Sequence, residues 1–283
     1  MPLRWLGRGG ATATRSRDCP VCGMPASGIR AIGTLPTTGE LAFERQHYDL
    51  VECRRCRLVF ISPLPPERDL HRIYVESTQF TDELYTDPQR IEAILDYRNS
   101  CLTRILAHGG RARDARIATL EVGGGLAWLA RAAKALNAHS ATTAQDISPE
   151  PLDRCPWVDA YIGGSISDPR IDERAPYHVV SLTHVIEHLT DPVDAIKRCK
   201  SLLAPGGVIL VTAPHRPPGW KSGSCDIAAW RAYSYNHVPA HIQYFSRKSM
   251  RTLAQRVGCE LTHWNDRSEG GQAFEAWLSN PAQ

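Results

Sequence analysis

No run of apolar residues in this chain approaches the ~20 needed to cross a bilayer, which excludes a helical membrane protein. Surplus charge is also scarce. The formal net charge is +3, too slight to imply a nucleic-acid partner by itself. Internal repeats, low-complexity blocks and a recognisable secretory signal are all missing. The expected compartment is therefore the cytoplasm, where nine cysteines read as thiols and metal ligands, not disulfides. What is present is ordinary for a globular protein: 42% hydrophobic and 22% charged residues in 283 positions. That length suits a catalytic domain plus a small appendage, with a core large enough to need no disulfide scaffold.

Four parts follow from the pattern. Residues 1–17 hold four arginines and no acid; Gly7, Gly9 and Gly10 disfavour an amphipathic transit helix, so a flexible basic tail is expected. Residues 18–62 carry paired cysteines, and 63–114 form a helical connector, where Ile91, Ile94, Leu95, Leu102, Ile105 and Leu106 recur at helical spacing. From 115 to 283 strands and helices alternate.

In that last part ATLEV (118–122), TTAQDI (142–147), AYI (160–162), VVSLT (179–183) and VILVTA (208–213) read as strands. A helix after the first has Leu126, Leu129, Ala133 and Leu136 on one face. Asp191 caps another, with Pro192 at its first position and Val193, Ile196, Cys199, Leu202 and Leu203 as its apolar face. Ser246 caps the last, which bears Met250, Leu253 and Val257. Apolar strands alternating with helices predict a parallel α/β sheet covered on both faces. After ELTHW (260–264), either AFEAWL supplies a last antiparallel strand or the sheet edge is incomplete.

In such sheets ligands bind beyond the carboxyl ends of the strands, near the switch point. Glu121-Val-Gly-Gly-Gly-Leu-Ala127 lies at the first of these ends, and glycines let a backbone approach a ligand closely. Asp146 ends the second strand, where an acid accepts hydrogen bonds from ribose hydroxyls.

LEVGGGLAWLA, QDISPEPL, HVVSLTHVIEHLTDP and LLAPGGVILVTAP, in that order within 117–258, resemble the S-adenosylmethionine-dependent methyltransferases of the class I, Rossmann-like type. The resemblance implies a seven-stranded, mostly parallel sheet with S-adenosylmethionine as cofactor. It puts Glu121 at the cofactor's methionine end, Gly123 and Gly125 beneath it, Asp146 on the ribose and Ile147 on the adenine. It also implies a Ser165 contact to adenine, with Thr183 and His184 lining the cofactor. Ala127 stands where the family usually has a third glycine, and Ser165 near where it commonly has Asp.

His184-Val-Ile-Glu187-His188 also matches H-x-x-E-H, the zinc pattern of inverted zincins. It directly follows a strand and meets Asp191-Pro192, leaving at most one helical turn, so a protease is disfavoured. His188 and Glu187 are instead candidates for acid–base work, against a purely bracing role in the turn. His241 is a second candidate base, because PAHIQYFS (239–246) resembles a family stretch whose histidine points to the active site. Trp220, Trp230, Tyr233, Tyr235, His237 and Tyr244 make 214–245 a candidate substrate wall, although some must pack the loop down.

Cys19-Pro-Val-Cys22 and Cys53-Arg-Arg-Cys56 supply four thiolates for a tetrahedral structural zinc, with a hairpin from about 29 to 50 between them. The segment resembles the zinc-binding front end of certain sugar and natural-product methyltransferases, which implies a small hydroxylated acceptor. Arg57 replaces the glycine usual after the second knuckle. Cys101, Cys155, Cys199, Cys225 and Cys259 read as packing residues. Two alternatives stand beside this: an RNA methyltransferase whose Arg54, Arg55 and Arg57 meet phosphate, and a non-catalytic cofactor-binding protein.

Overall fold

The computed structural model describes residues 17–39, 41–76, 86–147, 154–268 and 271–281. Of the basic tail only Arg17 falls among them; its guanidinium lies over the Phe60 ring, 5.0 Å from the centroid. The strands in chain order are β1 (Ile29–Pro36), β2 (His47–Cys53), β3 (Val59–Ser62), β4 (Ala118–Val122), β5 (Ala141–Asp146) and β6 (Ala160–Gly163). Then come β7 (Tyr177–Thr183), β8 (Leu203–Pro214), β9 (Gln243–Tyr244), β10 (Glu260–Ser268) and β11 (Ala273–Ser279). They form a four-stranded sheet ordered β1-β2-β3-β9 and a seven-stranded sheet ordered β10-β11-β8-β7-β4-β5-β6. β4 pairs in parallel with both β5 and β7, and β5 with β6; β10 and β11 are antiparallel. The expected α/β sheet is therefore complete, and AFEAWL is its antiparallel strand.

By contact density the chain forms two compact units. Of the described residues, one gathers those of 17–76, 184–197 and 211–281, and the other those of 86–183 and 198–210.

In the first unit the knuckle hairpin is β1 and β2, running three residues beyond the expected 50 to end on Cys53 itself. All four residues of β3 are buried. Ile61 and Leu50 pack with Trp230, Tyr233 and Tyr244 in one apolar cluster. Three aromatics of the 214–245 segment are therefore core residues of the small sheet. The helix Arg247–Arg256 starts at a capping box: the Ser249 N–H donates to Ser246 Oγ at 3.2 Å, and the Ser246 N–H donates to Ser249 Oγ at 2.8 Å. Its far end reaches the knuckle, where Arg256 Nη1 donates to the Val21 carbonyl at 2.7 Å. Ser246→Ala is expected to lower stability by about 1 kcal/mol, and Ser246→Asp to recover most of that. Urea midpoints of the three proteins check this; equal midpoints for wild type and alanine would refute the cap.

In the second unit the connector helix Pro88–His108 starts with Asp87 Oδ1 accepting from the Gln89 N–H at 3.0 Å, and buries Cys101, Leu102, Ile105 and Leu106. The helix after β4 is Trp128–Leu136, so Leu126 belongs to the preceding turn, packed beside Ala127 and Cys155. The helix Pro192–Ser201, which belongs to the first unit up to Lys197, ends earlier than its apolar spacing suggests. Leu203 opens β8, which runs through Pro205-Gly206-Gly207 instead of beginning at 208. Gly207 makes this possible, since a Cβ there would lie 2.9 Å from the carbonyls of both Ala204 and Tyr177. Among the remaining cysteines, four are buried as expected, whereas Cys225 is exposed.

Candidate active site

Strand order reverses at β4 and β7: β5 and β6 follow β4 in one direction, while β7 lies on its other side. The carboxyl ends of β4, β5 and β6 thus present the turn beyond Glu121, the Asp146-Ile147 pair and Ser165. The backbone there coils tightly, with Gly123 at φ +63°, Gly125 at +48° and Ala127 at +53°. Ala127 thus keeps the left-handed turn that a glycine would adopt more readily. A Cβ on Gly124 would lie 3.1 Å from that of Ala144, so this turn packs directly on β5.

Asp146 Oδ2 accepts the Gly125 N–H at 3.0 Å, and the Tyr161 hydroxyl donates to the Gly125 carbonyl at 2.8 Å. Trp157 Nε1 donates to the Leu126 carbonyl at 3.1 Å, and Arg131 lies over the Trp157 ring at 4.7 Å. Tyr161 and Trp157 buttress the turn; both belong to a weak stretch of sequence that offers no motif to mark them. Ile147 is 36% exposed, the large hydrophobic left most open among the described residues. Ser165 is half-buried, its Oγ accepting from the Ser167 N–H at 3.1 Å. Thr183 is half-buried at the end of β7.

Glu121 is 6% exposed, and its Oε1 accepts the Ala130 N–H at 2.7 Å. Burial pushes this carboxyl up to about 7, against the pull of that hydrogen bond and of the Arg98 charge. An acid poised there responds strongly to any positive charge brought beside it.

In the other unit, the chain leaving β7 turns at His184, whose φ is +52°. A short 3-10 turn then spans Ile186–His188. His184 and His188 therefore share no helical face, and the zincin geometry does not form. Instead His184 stacks on Tyr235 at 6.2 Å, with Nδ1 3.4 Å from Glu187 Oε1. Glu187 is fully buried, yet neither carboxylate oxygen has a hydrogen-bond partner among the described residues. Its other neighbour is His188, with Nε2 at 3.8 Å. The rings of His188 and His241 meet edge-on at 4.8 Å, and His237 stands 5.0 Å from His241.

Both imidazoles are anchored through Nδ1: His188 to the Ala240 carbonyl at 2.9 Å, His241 to the Tyr235 carbonyl at 2.8 Å. A carbonyl only accepts, so Nδ1 is the donor in each ring. Gln243 ties the two segments, donating to the carbonyls of Ile186 at 2.7 Å and Leu189 at 2.8 Å. Adjacency to His241 is the only sequence signal for Gln243. Burial and the charge of His188 push His241 down to about 3, leaving it neutral near pH 7. Burial alone would raise the Glu187 carboxyl; the imidazoles of His188 and His184 outweigh it and hold it at about 2.

A family model described as a methyltransferase domain matches residues 89–264, which include every one of these groups. This chain belongs to the methyltransferase-domain family. It is 32% identical over 112 residues to the ubiquinone biosynthesis O-methyltransferase of Xanthomonas campestris pv. campestris. That match covers 37% of this chain, and the chain spans 45% of that relative's length. The fold is shared with the 1,6-didemethyltoxoflavin-N1-methyltransferase of Burkholderia thailandensis, solved with 1,6-didemethyltoxoflavin and S-adenosylhomocysteine (TM-score 0.55, 15% identity, 85% of this chain and 98% of that one). It is also shared with a chain from the Haloferax volcanii complex containing the Trm112 methyltransferase activator (TM-score 0.50, 13% identity, 71% and 97%).

The methyltransferase also carries the four cysteines of its two knuckles as one cluster, with all four Sγ atoms within 4.8 Å of one another. The Cys19–Cys56 and Cys22–Cys53 sulfurs are 3.5 Å apart, far beyond the ~2.05 Å of a disulfide. Hydrogen bonding to Cys53, with burial, pushes the Cys19 thiol up to about 12, and the same crowding raises Cys56 while Cys53 is lowered. The spacing of the four Sγ atoms fits a tetrahedral Cys₄ site. Arg57 keeps the knuckle turn with φ +67° and lies 3.8 Å from buried Glu52, while Arg55 donates to the Cys22 carbonyl. Two of the three arginines considered for phosphate are thus directed at the protein itself.

Proposed function

We propose that the methyltransferase transfers the methyl group to a hydroxyl of a small biosynthetic acceptor, of the size of a sugar derivative or a phenol. In this reading Asp146 holds the ribose hydroxyls, Ile147 covers the adenine with Ser165 beside it, and Glu121 receives the methionine end. Gly123 and Gly125 let the backbone pass close beneath, and Thr183 and His184 line the cofactor after β7. When bound, S-adenosylmethionine supplies an electrophilic methyl: the acceptor oxygen gains the carbon as the carbon–sulfur bond breaks, its electron pair passing to sulfur.

What remains for the protein is alignment and the removal of one proton. Glu187, His188 and His241 meet that need as a set. The observation that carries the reading is this buried carboxylate with two imidazoles, each ring held by a backbone carbonyl. The ubiquinone relative is named for O-methyl transfer, which agrees with a hydroxyl acceptor. The four cysteines hold a structural zinc, closed to substrate because all four ligands come from protein.

Incubation with methyl-labelled cofactor and a panel of phenols, catechols and sugar derivatives tests the acceptor class. The expected product is a methyl ether, with His188→Gln slowing kcat by ~10²-fold or more while cofactor affinity holds. Labelled methyl appearing only on nitrogen, carbon or RNA would refute the hydroxyl.

A further inference from the structure

We infer that Glu187, His188 and His241 together bind one divalent transition-metal cation, whose open positions take the acceptor's hydroxyl. This rests on the reading that the cluster handles that hydroxyl, and it says how. One ligand atom from each of the three lies within 4.8 Å of the others. A cation ~2.0–2.2 Å from each would draw them together with shifts on the order of an ångström.

Three features argue for a cation over a bare acid–base pair. First, Glu187 is fully buried with both oxygens lacking hydrogen-bond partners among the described residues. An ionised carboxylate left that way costs several kcal/mol unless a positive charge faces it. Second, neither neighbouring imidazole closes on it, the nearer His184 Nδ1 standing 3.4 Å from Glu187 Oε1. A hydrogen-bonded ion pair would shorten to ~2.8 Å, whereas His188 Nε2 stands at 3.8 Å from Glu187 Oε1, a span that an ion can bridge. Third, both rings donate Nδ1–H to backbone carbonyls, the outer-shell arrangement that orients metal-ligating histidines and turns Nε2 inward. The ligand-bearing segments are further tied by Gln243 and by the Ile242 N–H, which donates to the Glu187 carbonyl at 3.0 Å.

Two imidazoles and one carboxylate leave further positions open, unlike the closed Cys₄ set, and suit zinc, iron(II), manganese or cobalt. A hydroxyl taken at such a position loses its proton more easily, because the cation stabilises the oxyanion. The proton then passes to solvent, and neither imidazole has to accept it.

Cobalt(II) is the probe, used on the zinc-loaded full chain so that the thiolates are already occupied. Equilibrium dialysis with elemental analysis should find one more metal per chain in the wild type than in His188→Gln/His241→Gln. The added cobalt should show weak visible bands without thiolate charge transfer. His188→Gln alone, at a partly exposed ring, should weaken binding by ~10–100-fold at an unchanged melting temperature, which keeps the test open if the double variant does not fold. Equal metal content and equal affinity in wild type and variants would overturn the site. Cobalt bound as expected without methylation of any hydroxyl would leave the site standing and overturn the acceptor reading. Undiminished methyl-ether formation in strong chelator would do the reverse.

Discussion

With zinc in the cysteine cluster as proposed, stripping the metal should abolish the cooperative melting of the small sheet and lower the protein's Tm by ~10 °C or more. Structural zinc sites contribute on the order of 10 kcal/mol to folding, because the unfolded chain offers no preformed site. Here the ligands hold more than a turn. Cys53 is the last residue of β2, paired with Ile29 at the start of β1, and the Cys53 N–H donates to the Leu58 carbonyl just before β3. Losing the metal therefore releases both ends of the hairpin and leaves crowded thiols in the core. Calorimetry with and without a zinc chelator checks this, alongside Cys56→Ser and, as control, exposed Cys225→Ser. A chelated protein or a Cys56→Ser variant that melts like wild type would show that the cluster is held by packing alone.

Glu121→Gln should change both stability and cofactor binding, in opposite directions. The folded carboxyl lies at about 7 against an ordinary 4.5, so the folded state holds its proton more tightly than the unfolded chain. Stability from this group is fully present below pH ~4.5 and is lost as pH rises toward 7, reaching about 3 kcal/mol at alkaline pH. Glutamine keeps an acceptor for the Ala130 N–H and carries no charge. The ligand-free variant should thus match wild type near pH 5 and exceed it by up to ~3 kcal/mol at pH 8. Cofactor affinity should fall tenfold or more, because the positively charged methionine end loses its counter-charge. Wild type should release protons on binding near pH 6, seen as a buffer-dependent enthalpy in titration calorimetry. Flat stability differences across pH, together with unchanged affinity, would remove Glu121 from the cofactor's surroundings.

Much of the large sheet is legible in the sequence because its central strands are buried on both faces and read as apolar runs between glycine turns. β11 is legible only as one of two alternatives for the sheet edge, for a specific reason. Glu275 interrupts its apolar run, and only the fold reveals that this buried acid is satisfied by Trp277 Nε1 at 2.9 Å. Leu203 is misplaced by periodicity because helix and strand abut there with almost no loop. Glu187, His188 and His241 can each be picked out as chemically able residues. Spacing along the chain cannot show that His241 meets His188 across more than fifty residues, or that Nδ1 of each ring is engaged by a carbonyl. The aromatics of 214–245 look uniform in sequence and divide in the structure. Trp230, Tyr233 and Tyr244 fill the core, while Tyr235 and His237 attend the histidine cluster.

The central claim is that the turn beyond β4, with Asp146 bracing it, is where S-adenosylmethionine binds. Isothermal titration of zinc-replete protein with the cofactor, repeated with Asp146→Ala and Asp146→Asn, tests it most directly. The expected result is one site of about micromolar affinity, weakened ~100-fold in the alanine variant as charged hydrogen bonds to the ribose are lost, with asparagine between the two. No binding to folded wild-type protein, or equal binding by all three, would contradict it.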